Sequence, residues 1–123
     1  MSWFTDLVAW LGNGANWTGD AGALALLRQH ALLSVVSLLL AALIVVPLGL
    51  WLGHIGKGGV VALNIGNVGR AIPTFAILVL LTLAPSPFGN SQLTVVTSLV
   101  LFAIPPILTN TYVGVREVDG AAV

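Results

Sequence analysis

The stretch Ala31–Leu52 reads ALLSVVSLLLAALIVVPLGLWL, 22 residues without one ionisable side chain. As a helix rising about 1.5 Å per residue it would run about 33 Å, matching a bilayer hydrocarbon core of roughly 30 Å. A second uncharged stretch, Leu93–Val115, has 23 residues. Between the two lies Val60–Leu83, equally apolar except for Asn64, Asn67 and Arg70. The pattern predicts an all-α integral membrane helical bundle of about three transmembrane helices, near residues 30–53, 60–84 and 92–115. Two of these spans are strong and the middle one is weaker.

Composition points the same way. Hydrophobic residues make up 58% of the 123 and charged residues 7%, against roughly 25% charged in a soluble domain. A soluble globule of this size exposes so much surface that four Lys+Arg and four Asp+Glu could not cover it. The partner of that surface is the lipid bilayer. A net charge of zero argues against nucleic acid, which requires a basic footprint. Cysteine is absent, so no disulfide framework or thiolate metal site arises.

The first span is not read as a signal peptide: it starts about 30 residues in, runs too long, and follows no basic leader. Residues 1–27 instead carry Trp3, Trp10 and Trp17, with Asp6 and Asp20 as acids. Trp favours the headgroup level, so Trp3–Leu11 is expected to be a short interfacial helix, followed by a loop at Gly12, Asn13, Gly14 and Asn16. The alternative is a frayed terminus without a role.

Loop charge sets orientation. Lys57 and His54 lie in the first connection, the second (residues 84–90) is uncharged, and Arg116 follows the third span. A multi-pass chain of the cell (cytoplasmic) membrane with its N-terminus outside and its C-terminus cytoplasmic is expected, although Arg28 opposes that count. Proline interrupts each span: Pro47 in the first, Pro73 early in the second and Pro105-Pro106 in the middle of the third. Each predicts a kink, and the pair predicts a kink or unwinding. Such breaks serve packing or line a transport cavity. Gly49 and Gly53 form a small-xxx-small pair that lets helices approach.

Arg70 is the costly residue: at mid-bilayer it would cost at least roughly 2.5–3.5 kcal/mol. It is expected near the inner end of the second span, its stem reaching to the headgroups; a salt bridge or a place in a substrate cavity is the alternative.

No catalytic arrangement is present, and the chain is not read as an enzyme. His30 and His54 stand at opposite ends of one span and cannot share a metal, and no phosphate loop occurs. No cofactor is implied. Ser34 and Ser37 are expected to hydrogen-bond to backbone or to a neighbouring helix. Polar residues gather at Thr109-Asn110-Thr111-Tyr112, with Arg116-Glu117-Val118-Asp119-Gly120 after them; a solvated helix end would account for this alone.

The run from Ala103 to Val115, AIPPILTNTYVGV, followed by Glu117-Val118-Asp119, resembles permease subunits of glycine betaine/choline/carnitine-type osmoprotectant ABC importers. In them a similar "LPILRNTYTG…VDP" run ends the third core helix and leads into the cytoplasmic EAA loop. Arg70–Leu78, RAIPTFAIL, is similar to that family's "QTIPSLALL", and His30–Gly53, with Pro47-Leu48-Gly49 inside, resembles the first core helix and its "PLG" turn. The resemblance covers roughly Arg28–Val123, so 28–123 reads as a partial permease domain behind a 1–27 segment of interfacial helix and loop. It implies import of glycine betaine or a related quaternary amine. It further implies a cytoplasmic ATP-binding subunit, a substrate-binding protein, and a second permease copy or paralogue as partners.

On this basis Pro73, Pro105, Asn110 and Tyr112 are expected along the translocation path, and Arg116, Glu117, Val118, Asp119 and Gly120 at the approach to the ATPase. The sequence departs from the family at Thr109, often Arg there, and at Gly120, typically Pro. Ala121-Ala122-Val123 stands where the EAA helix would begin, so the expectation is a permease truncated at the start of that loop, a gene fragment or half of a split subunit. The alternative is a non-transporting membrane protein, a remnant or partner of a full-length permease. A small channel or drug exporter would use a membrane-embedded carboxylate, and the spans hold none.

Overall fold

A computed structural model describes residues 2–89 and 91–121 of the chain; the side chain of Asp119 lies outside the described residues. The chain divides into two compact units, Met1–Leu33 and Ser34–Val123.

In the first unit, α1 runs Trp3–Gly12 with Asp6 in its first turn, where a carboxylate opposes the positive end of the helix dipole. The helix lies one residue beyond the expected Trp3–Leu11. Its C-terminal carbonyls, which have no intrahelical donor, are taken up by the turn that follows. Trp17 Nε1 donates to Leu11 O at 2.8 Å and Asn16 Nδ2 to Trp10 O at 2.9 Å. A single 3-10 turn, Gly14–Asn16, is closed by Asn13, whose side chain accepts from Ala15 N at 3.1 Å. These bonds bring the Trp10 and Trp17 rings within 5.9 Å.

Helix α2 spans Ala23–His54, 32 residues, and starts about seven residues before the apolar span. Hydrophobic thickness decides where a span ends, not where a helix does; Arg28 and Gln29 are good helix formers, so the helix continues through them. In the second unit α2 is followed by α3 (Gly59–Ala71), α4 (Thr74–Thr82) and α5 (Gln92–Ala121). The turn between α2 and α3 uses Gly56 and Gly58 at φ +64° and +85°, a left-handed backbone that side chains disfavour. Among the described residues, α2 and α5 are each long and apolar enough to cross a membrane; α3 and α4 make a third crossing if taken as one span bent by 75°.

The bend falls at the proline expected to kink the 60–84 span. Proline has no N–H and disfavours helical backbone in the residue before it. Ile72 accordingly sits at φ −84°, ψ 119°, and Pro73 at φ −66°, ψ 125°, two consecutive extended residues that end α3 and restart the chain as α4. The other prolines behave differently: α2 is helical through Pro47, and α5 is helical through Pro105 and Pro106 without unwinding.

The second unit is built around α5. The buried residues of α2 are Ser37, Ala41, Val45, Gly49 and Gly53, one every fourth position. A β-carbon on Gly49 would stand 2.8 Å from Thr111 Cβ, and one on Gly53 2.7 Å from Val115 Cβ. The expected small-xxx-small contact is therefore made, and α5 is its partner. On α3, Gly59, Gly66 and Gly69 lie against Tyr112, Thr109 and Pro105 respectively, so α3 runs antiparallel to α5 while α2 runs with it. Between these stripes Val45, Ala62 and Leu108 form the small apolar core. Buried hydroxyls on α5 are satisfied within their own segment: Ser98 donates to Thr94 O and Thr94 to Phe88 O, at 2.8 and 2.7 Å. Ser37 departs from expectation. Its Oγ is buried and makes no hydrogen bond among the described residues.

Candidate functional site

The three glycines of α3 fix the site. A β-carbon on Gly69 would overlap the Pro105 ring and one on Gly66 the Thr109 hydroxyl, so α3 lies directly on α5 there. Thr109 Oγ1 donates to Pro105 O at 2.9 Å and approaches Ala62 O at 3.5 Å. The bare α-carbon of Gly66 is what admits the Thr109 hydroxyl against α3.

The four residues expected on the path do not converge. Pro105 is buried, facing α3 at Gly69, and Tyr112 is half-buried, its hydroxyl set against Gly59. Pro73 is exposed at the break. Asn110 is exposed and lines a separate groove of about 380 Å³ with Leu50, Thr111, Gly114 and Val118. A cavity of about 610 Å³ fills the crook of the bent span. Val61, Asn64, Val68, Ile72, Phe102 and Pro105 are among its lining residues, and Asn64 is the single polar side chain there.

The residues expected at the ATPase approach continue α5 instead of forming a loop. Arg116 folds toward the α2–α3 turn: a β-carbon on Gly56 would lie 3.0 Å from its Nη1. Glu117, Val118 and Gly120 are exposed, and Asp119 has its side chain outside the described residues.

On α3, Gly69 lies against Pro105 in the middle of α5. Arg70 is the next residue, in the last turn of α3, and its side chain is exposed. Sequence reasoning did not pair α3 with α5. The signal was present in the spacing Gly59, Ala62, Gly66, Gly69, a one-sided small stripe of helical period.

No family model matches the chain, and no solved structure does. Among characterised proteins, it is 39% identical over 93 residues to the carnitine transport permease protein OpuCD of Listeria monocytogenes, covering 76% of this chain and 40% of that one. The chain is homologous to choline and carnitine transport permeases. The glycine betaine/carnitine/choline transport system permease protein OpuCD of Bacillus subtilis is 33% identical over 93 residues, 76% of this chain and 39% of its own. The choline transport system permease protein OpuBB of the same organism is 31% identical over 91 residues, 74% and 41% of the two chains. The resemblance read from the motifs is thus borne out: these relatives are transport permease proteins. The chain spans about two fifths of the length of the permeases it matches.

Proposed function

We propose that this chain forms part of the transmembrane subunit of an ABC importer carrying glycine betaine, carnitine, choline or a related quaternary amine. The observation that carries the reading is the 39% identity to a carnitine permease over 76% of the chain. The bent middle span supports it, because discontinuous helices meeting near mid-bilayer are how transporters expose backbone to a substrate cavity. The subunit does no chemistry. It supplies a path that opens alternately to each side, while a cytoplasmic ATP-binding subunit supplies the energy and a substrate-binding protein delivers the osmolyte. A second permease copy or paralogue completes the pathway.

In this reading residues 28–123 are permease domain, and 1–27 an interfacial anchor whose exposed Trp3, Phe4 and Trp10 rest at headgroup level. The N-terminus is outside and the C-terminus cytoplasmic. Pro73 and Pro105 shape the path, Asn110 faces it from the groove it lines on α5 while Tyr112 holds α3 against α5, and the end of α5 from Arg116 to Gly120 leads toward the ATPase. The test is uptake of labelled carnitine and choline by cells lacking their own osmolyte importers, with and without this chain beside its ATP-binding subunit. It is paired with co-purification of that subunit on the tagged chain. Uptake and co-purification together are expected. Neither, from a properly inserted chain, would make it a non-transporting membrane partner of a permease.

A further inference from the structure

A cavity of about 590 Å³ lies wholly within the first unit, between the end of α1 and the start of α2. Small-molecule sites have volumes of this order. Trp10, Asn16, Thr18, Asp20 and Leu26 are among the residues that line it, and Asp20 is the single charged one. The end of α1 brings about half a negative charge and the start of α2 about half a positive one. These offset each other, so the Asp20 carboxylate sets the sign and the cavity favours a cation.

The walls select which cation. Trp10 offers an indole, the aromatic ring that attracts cations best. It is 47% exposed, leaving a face open to a ligand, and its ring rests 5.9 Å from that of Trp17. The backbone acceptors nearby are already engaged. Trp10 O accepts from Asn16, Leu11 O from Trp17 and Gly14 O from Thr18. Trp17 O accepts from Leu24 N and Gly19 O from Gly22 N. A hard metal ion takes six or so oxygen ligands, and no group of three or more His, Cys, Asp or Glu stands together among the described residues. A primary ammonium has three N–H donors to satisfy and meets carbonyls that are in use. A fully methylated ammonium donates no hydrogen bond and asks only for an aromatic face and a counter-charge. The same bonds tie the turn after α1 to the start of α2, so the chain fixes the cavity walls itself and little ordering is left for the ligand to drive.

We propose that this cavity binds a quaternary ammonium group, with the Trp10 ring against its methyl groups and Asp20 as its counter-charge. The site goes beyond the import reading, because it lies outside residues 28–123 and a chain that carried no osmolyte would keep it. The ammonium is that of a free amine such as choline or of a choline lipid headgroup, and the chemistry is the same for both.

The test is binding of labelled choline to the tagged full chain in phosphatidylglycerol nanodiscs. Saturable binding is expected, displaced by tetramethylammonium, more weakly by methylammonium, and not by the uncharged analogue of choline in which carbon replaces nitrogen. Trp10→Leu is expected to weaken binding about fivefold or more. Trp10→Phe keeps an aromatic face and part of the affinity, which guards against simple misfolding. Asp20→Asn is expected to weaken binding about threefold or more, by an amount that shrinks as salt rises. Phosphatidylcholine that competes with free choline when added to the nanodisc assigns the site to a lipid headgroup; no competition assigns it to the free amine. Absence of saturable binding overturns the proposal, as does binding that the uncharged analogue displaces equally or that neither Trp10→Leu nor Asp20→Asn weakens. Uptake is read separately: binding without uptake keeps this site and removes the import reading, and uptake without it does the reverse.

Discussion

Pro73 and Pro105 lie on neighbouring elements, and the same residue type does opposite things at the two places. At Pro73 the helix ends and the chain turns by 75°; at Pro105, with another proline directly after it, α5 stays helical. Both sites lose a backbone hydrogen bond and suffer the same clash with the preceding turn. The difference is in the surroundings. Pro105 is buried against Gly69, and its carbonyl is bonded by the Thr109 hydroxyl at 2.9 Å. Pro73 is exposed, with nothing across from it to hold the turn closed. Whether a proline breaks a helix is settled by what packs on it.

The sharpest way to break this contrast is to remove the packing at Pro105. Gly69→Leu drives a branched side chain into the proline ring, which is tied to its own backbone and cannot swing aside. Loss of about 3 kcal/mol or more is expected, seen as a collapse of the folded fraction in detergent; unchanged thermal stability would mean that α3 does not lie on α5. Gly53→Val tests the opposite flank of α5, where Val115 can yield a little, and a loss of roughly 1–3 kcal/mol is expected from the same measurement.

Pro73→Ala sharpens the comparison from the other side. Restoring an N–H and lifting a helix-interior penalty of up to about 3 kcal/mol should let α3 and α4 join, lengthening the distance between spin labels at Val60 and Leu81. Pro105→Ala should leave a label pair on α5 where it was. Equal responses would show that the bend is not set by Pro73. Thr109→Val is the mildest change. The bond to Pro105 is local, and interhelical hydrogen bonds in bilayers average only about 0.6 kcal/mol, so a fall in stability of about that size is expected.

The crossings were legible because uncharged runs of 22 and 23 residues in a chain with 7% charge admit few other readings. The helix at Trp3–Gly12 was legible from its aromatic spacing, and the Gly49/Gly53 approach from its four-residue period. The fate of each proline was not, because it depends on residues 30 to 40 positions away: Gly69 protects Pro105, and no local pattern around Pro105 says so. The packing of α3 on α5 was hidden for the same reason. The path residues Pro73, Pro105, Asn110 and Tyr112 were chosen along the chain, whereas the folded molecule points Asn110 into one groove and Tyr112 toward another helix.

The contact between Gly66 and Thr109 has a consequence for inheritance. A bare α-carbon on one helix and a short hydroxyl on the other fill a single slot between them, so residue 66 cannot gain even a β-carbon unless residue 109 gives up its hydroxyl or the two helices part. The two sites therefore form a linked character: a sequence with a side chain at 66 marks a changed residue 109 or a differently spaced pair of helices.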